Sequence, residues 1–141
     1  MIGDNLIRWT IWLATLAYFS RWFCELWPGT ISTSTRFRVA RGCWTAAFAL
    51  LVVAHVLCAF HFYHHWSHSH AVEHSLQQTE STVGIRFGGG PWVNYVLMGL
   101  WLGDLIWWWL SPGTFASRPR WLNITWIVLL AFIGFNGTAV F

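Results

Sequence analysis

From Cys43 to Trp66 the chain runs for 24 residues without one Asp, Glu, Lys or Arg. A block of this length matches a hydrocarbon layer ~30 Å thick. Inside lipid every backbone N–H and C=O must be bonded within the segment, so the block has to be helical. As one helix it rises ~36 Å, so its far end emerges from the layer, and that end carries histidines. Three further apolar blocks have the same character, and the pattern predicts an all-α membrane protein, an antiparallel four-helix transmembrane bundle. The expected spans are about 6–24, 43–66, 91–110 and 121–141, in a single polytopic domain over residues 1–141 with the lipid bilayer as its main partner. Composition agrees: 56% of residues are hydrophobic and 9% charged, with thirteen Trp and eleven Phe, a balance unlike that of a soluble domain. The first block lacks the order of basic region, short apolar core and small-residue site that marks a cleaved leader, and it is read as retained.

The eight basic residues are all Arg, and a net charge of +3 spread along the chain excludes nucleic acid as a partner. Their placement instead sets topology. Arg36, Arg38 and Arg41 follow Pro28-Gly29 in the first connector, read as residues 25–42, and Arg118 with Arg120 precede the fourth span. The polar connector 67–90 holds Glu73 and Glu80 against Arg86 alone. By the positive-inside rule, both termini and the His-rich segment are extracytoplasmic in a multi-pass integral membrane protein. Trp44, Trp66, Trp92 and Trp121 fall at expected span ends, as interfacial belts require, and Arg8 and Arg21 can extend to the headgroups. Cys24, Cys43 and Cys58 form no CxxC pair and read as small buried hydrophobes.

Six of the seven histidines lie within the fourteen positions His61–His74. With the second helix continued past Trp66, His61, His64, His65 and His68 occupy an arc of ~100° on one face. Imidazoles at such spacing can converge on iron, copper or zinc. One helix supplies two or three ligands, so the remainder must come from another element or a second copy of the chain. His70, Glu73 and His74 lie on a different face and form a second candidate set. They spell His-x-x-Glu-His, which resembles the zinc motif of inverted-motif metallopeptidases and implies two His ligands and a water-activating Glu. His61-x-x-His64-His65 resembles one histidine box of the membrane di-iron desaturases and hydroxylases, implying iron ligation over five residues. Those enzymes carry several boxes; none follows here, so further ligands would have to be Glu73, Glu80, Asp104 or those of a second chain. An aromatic, His-rich helix end also serves as an interfacial anchor.

Counted from Trp44 and Trp92, His55 and Asp104 reach similar depths on neighbouring helices and are expected to pair, as a structural clasp or a proton relay. His55 is also a candidate axial ligand of haem b, and His61 with Met98 is an alternative pair. The lack of a second His at the depth of His55 ranks haem b below a non-haem metal. Gly99 and Gly103 with the Ala-rich second span predict close helix contact. These observations lead to three readings. The first is a membrane protein that binds a transition metal through its His cluster, for redox chemistry or metal handling; as an enzyme it would be a metal-dependent oxidoreductase, with no catalytic residue assigned. The second is a non-catalytic subunit or assembly partner of a larger membrane complex, or a homo-oligomer. The third is a proton or metal carrier using His55 and Asp104.

Overall fold

The computed structural model describes the backbone of residues 2–26 and 32–140, and their side chains except Ile2, Asp4, Val83 and 132–140. The expected Pro28-Gly29 turn lies outside the described residues. The chain is all-helical, with no strand among the described residues. Helix α1 (Ile2–Leu26) is followed by α2 (Thr33–Phe48), a π-helical stretch (Ala49–His55) and α3 (Val56–Phe62), which together form one continuous helix. Then come α4 (His68–Val83), α5 (Gly90–Leu110), the short α6 (Pro112–Ala116) and α7 (Arg120–Val140).

The second helix begins ten residues before the expected Cys43, at Thr33, because the Ser32 hydroxyl caps it by accepting from the Thr35 N–H at 3.3 Å. The Thr- and Arg-rich stretch after it is polar but contains no breaker, so Arg36, Arg38 and Arg41 lie on the helix and not in a loop. At the other end the helix stops at Phe62, four residues before Trp66. His65 and Trp66 take left-handed backbone angles, φ 47° and 61°, and reverse the chain. The Trp66 N–H then bonds back to the Phe60 carbonyl at 3.0 Å, closing the helix end. Ser67 starts α4 by accepting from the His70 N–H at 3.2 Å, so the expected polar connector is largely a helix. Gly84, at φ 72°, ends α4 in the conformation that glycine adopts without strain. Pro91 opens α5 at the position where its missing N–H costs nothing, and α5 ends before Ser111-Pro112-Gly113, as the sequence suggests.

Contacts between helices fix their directions. Gly3 lies against Phe62, Thr10 against His55 and Tyr18 against Trp44, so α1 runs antiparallel to the long second helix. Phe37 meets Trp108, Trp44 meets Asp104 and Phe48 meets Trp101, so α5 is antiparallel to the second helix as well. Trp126 of α7 closes on Trp44 and Trp101, bringing the fourth long helix to the same centre. One end of this assembly therefore carries the histidine turn, and the other carries Arg21, Arg36, Arg38, Arg41, Arg118 and Arg120.

The core is built from indoles. Trp44, Trp101 and Trp108 are buried at 0–1% exposure, with Trp126 beside them, and Ala40 and Ala47 leave the room these rings need. Trp44 lies 4.4 Å from Trp101 and 5.6 Å from Trp126 between ring centroids, and Trp108 stacks on Phe115 at 4.2 Å. Such contacts contribute about 0.5–1.5 kcal/mol each beyond area burial. Trp44 is thus core and not a span end, whereas Trp66, Trp92 and Trp121 are about three-fifths exposed. Gly99 and Gly103 face open space, so the expected close contact at α5 does not form there; Ala40 and Ala47 provide it on α2. Thr33–Phe62 is, among the described residues, the one helix long and apolar enough to cross a membrane by length and composition.

Candidate functional site

At the chain reversal the histidines are sorted differently from a continued helix. His61, still on α3, packs its ring on Phe62 and Trp66 at 4.8 and 6.2 Å. His65 is exposed in its left-handed position. His68 leaves the group for α5, where its Nδ1 lies 3.1 Å from the Tyr95 hydroxyl and its ring lies 5.3 Å from Trp92. His61, His64, His65 and His68 therefore do not share a face, because the helix that would align them ends at Phe62. His64 turns the other way and joins the second set: its ring centroid lies 5.7 Å from His70 and 5.6 Å from His74, which stand one turn apart on α4. Glu73 accepts a hydrogen bond from Gln77 at 3.1 Å on the exposed side of α4.

The chemistry of this trio suits a metal. Two imidazoles bound to one ion at Zn–N ~2.0–2.1 Å have ring centroids roughly 5 Å apart, close to the spacing found here. His64 Nδ1 is buried and has no hydrogen-bond partner. Burial, and then the neighbouring His74 and His70, push the His64 imidazole below its ordinary 6.5, which keeps it neutral, the form a metal requires. The rings meet edge to face, and among the described residues no group of three His, Cys, Asp or Glu is arranged to hold an ion.

At the arginine end, Asp104 is the hub of a second polar group. It accepts from Trp44 Nε1 at 2.8 Å, from the Arg118 guanidinium at 3.0 Å and from Trp126 Nε1 at 3.2 Å. The Asp104 and Arg118 side chains are 8% and 4% exposed, and Arg118 also donates to Asn123. Burial draws the Arg118 guanidinium down and Asp104 pulls it back up, leaving it at about 10, so it is charged at neutral pH. Arg21, expected at the headgroups, is instead fully buried. Its guanidinium lies 4.0 Å from the Trp44 ring, 4.6 Å from Trp22 and 5.1 Å from Trp108, and its Nε donates to Glu25 at 3.3 Å. Aromatic faces thus solvate a charge that would otherwise be costly.

The expected His55–Asp104 pair does not form. His55 lies seven residues from the end of α3, ~10 Å from the histidine end, and Asp104 lies six from the end of α5, ~9 Å from the arginine end. The depth count failed because Trp44, taken as a span end, lies well inside its helix. His55 binds α1 instead, with Nδ1 3.4 Å from the Thr10 hydroxyl and a further bond to the Ile7 backbone. Its ring is engaged as a clasp between helices.

Sequence reasoning missed Arg21, Arg118, Trp44, Trp126 and Tyr95 as members of these groups. An Asp within an apolar helix signals the need for a cation, but six arginines at that end left the choice open. No family model matches the chain, and neither a curated protein nor a solved structure matches it.

Proposed function

We propose that the chain is a multi-pass integral membrane protein whose α1, continuous α2–α3, α5 and α7 each cross the bilayer, and that its histidine end binds a transition metal through His64, His70 and His74. The distribution of side chains supports the membrane part. Arg21, Asp104 and Arg118 are inside, while Leu16, Phe19, Val96 and Val128 are each about three-fifths exposed. A chain in water would place these the other way round; lipid makes the exposed apolar faces costless and charged ones expensive. Helix α5 has one charged residue, and its Trp side chains suit either core or interface.

The observation that carries the metal reading is the meeting of His64 with His70 and His74, with the buried Nδ1 of His64 unpartnered. Zinc, copper and iron all accept neutral imidazole, and three ligands leave a position open for water or substrate. The test is metal analysis of protein purified without a His tag. Wild type should hold one equivalent of metal; His64→Ala with His74→Ala should hold none, and His61→Ala with His65→Ala should keep it. Wild type without metal, or metal retained when His64 and His74 are lost, overturns the assignment.

A further inference from the structure

Helix α1 has two faces with different tasks. Gly3, Thr10, Ala14, Tyr18 and Arg21 pack inward, whereas Asn5, Arg8, Trp9 and Trp12 line a groove of about 350 Å³ on the outer face. These four residues, at helical spacing, form one stripe over two turns. Gly3 against Phe62 places the stripe at the histidine end. Trp9 and Trp12 are 65% and 69% exposed, so the rings stand as open walls. No ion pair or hydrogen bond joins Arg8 to another described residue, whereas Arg86 at the same end is taken by Glu80 at 3.4 Å.

A guanidinium with no partner among the described residues, set between an amide and two indoles at the end of an apolar helix, has a specific chemical complement. The fork of Arg binds the oxygens of a phosphate in pairs. Asn5 adds a donor. Trp rings sit at headgroup level, where one edge meets polar groups and the ring body meets glycerol and upper acyl carbons. A soluble anion would use Arg8 and Asn5 but leave the predominantly apolar groove wet.

We infer that the Asn5–Arg8–Trp9–Trp12 groove is a binding site for an anionic phospholipid, with its phosphate on Arg8 and its glycerol and acyl stems between the two indoles. This rests on the membrane reading proposed above and is independent of the metal. A zwitterionic lipid brings its own cation beside the phosphate and competes with Arg8, so the site prefers lipids whose headgroup has no amine.

The test is native mass spectrometry of the full chain released from detergent containing equal amounts of phosphatidylglycerol and phosphatidylcholine with matched acyl chains. Wild type should retain phosphatidylglycerol several-fold over phosphatidylcholine. Arg8→Gln should bring the ratio close to one, and Trp121→Ala, a belt residue elsewhere, should leave it as in wild type. Inorganic phosphate should not displace the lipid; displacement makes the occupant a free anion and overturns the inference. Equal retention of both lipids by wild type, or a preference that survives Arg8→Gln, overturns it while leaving the membrane reading intact. A chain that retains neither lipid and leaves the membrane fraction on alkaline washing overturns both.

Discussion

Asp104 illustrates what one residue can and cannot announce. An aspartate flanked by Gly103 and Leu105 in an apolar helix must find a partner, and that much is legible without coordinates. The partner was not, because choosing between His55 and an arginine depends on where each helix begins, and Trp44 resembles a span end while occupying the core. The paired geometry has energetic consequences. Asp104→Asn keeps the shape but leaves Arg118 uncompensated in a site where both side chains are under a tenth exposed, which should cost about 3–5 kcal/mol. Trp44→Phe removes one donor to the carboxylate and should cost about 1 kcal/mol for the bond, with a further packing loss. Thermal unfolding in detergent checks both, and Arg118→Gln should recover part of the loss in the Asp104→Asn background. His64 gives a pH signature. Its folded pKa lies below the ordinary 6.5, mainly through burial and then through His74 and His70. The unfolded chain therefore takes up the proton first as pH falls, so stability is full above 6.5 and declines below it as pH approaches the folded value. Melting of metal-free protein between pH 7.5 and 5.5, a range of about two units around the histidine value, should show this decline, and His64→Gln should flatten it.

Among the elements, helix starts and stops were legible where their signals were covalent: Pro91 opens α5, Ser111-Pro112-Gly113 closes it and α7 begins beside Trp121. Two boundaries were not. The cap at Ser32 stands in a Ser/Thr run where several hydroxyls are equivalent candidates, and the break after Phe62 depends on left-handed angles at His65 and Trp66, types that give no turn signal. That break decides which histidines meet, so the candidate site was legible as a cluster of residues but not as a geometry. The left-handed pair is strained relative to glycine by about 1–2 kcal/mol per residue. His65→Gly should therefore stabilise the reversal by about 1 kcal/mol, while Gly84→Ala, at φ 72°, should destabilise the end of α4 by a similar amount, about 1 kcal/mol. Hydrogen exchange of α4 amides separates the two: slower in the first variant and faster in the second. A His65→Gly chain that exchanges faster would mean that the imidazole itself holds the reversal.

At the scale of the whole molecule the distribution of charge is the organising feature. Six arginines lie at one end, and the histidine turn, Glu73 and Glu80 at the other, with indoles and Asp104–Arg118 between the central helices. The antiparallel arrangement gives this polarity a physical origin, since each long helix delivers its polar terminus to one of two ends and leaves apolar side chains around the waist. On the membrane reading proposed above, arginine retention would hold the arginine end on the cytoplasmic side and put the histidines outside. Ser117, exposed beside Arg118, and Gln77, exposed on α4 where it donates to Glu73, mark the two ends. In a chain whose native cysteines are replaced by Ser, Gln77→Cys should react with a membrane-impermeant maleimide on intact cells. Ser117→Cys should react only after permeabilisation. The reverse pattern would invert the proposed orientation and place the histidine end in the cytoplasm, where thiols and buffered metal would set different demands on the proposed trihistidine site. Labelling of both positions from the same side would remove the proposed four-span arrangement, because α5, the long helix between Gln77 and Ser117, would then not cross the bilayer.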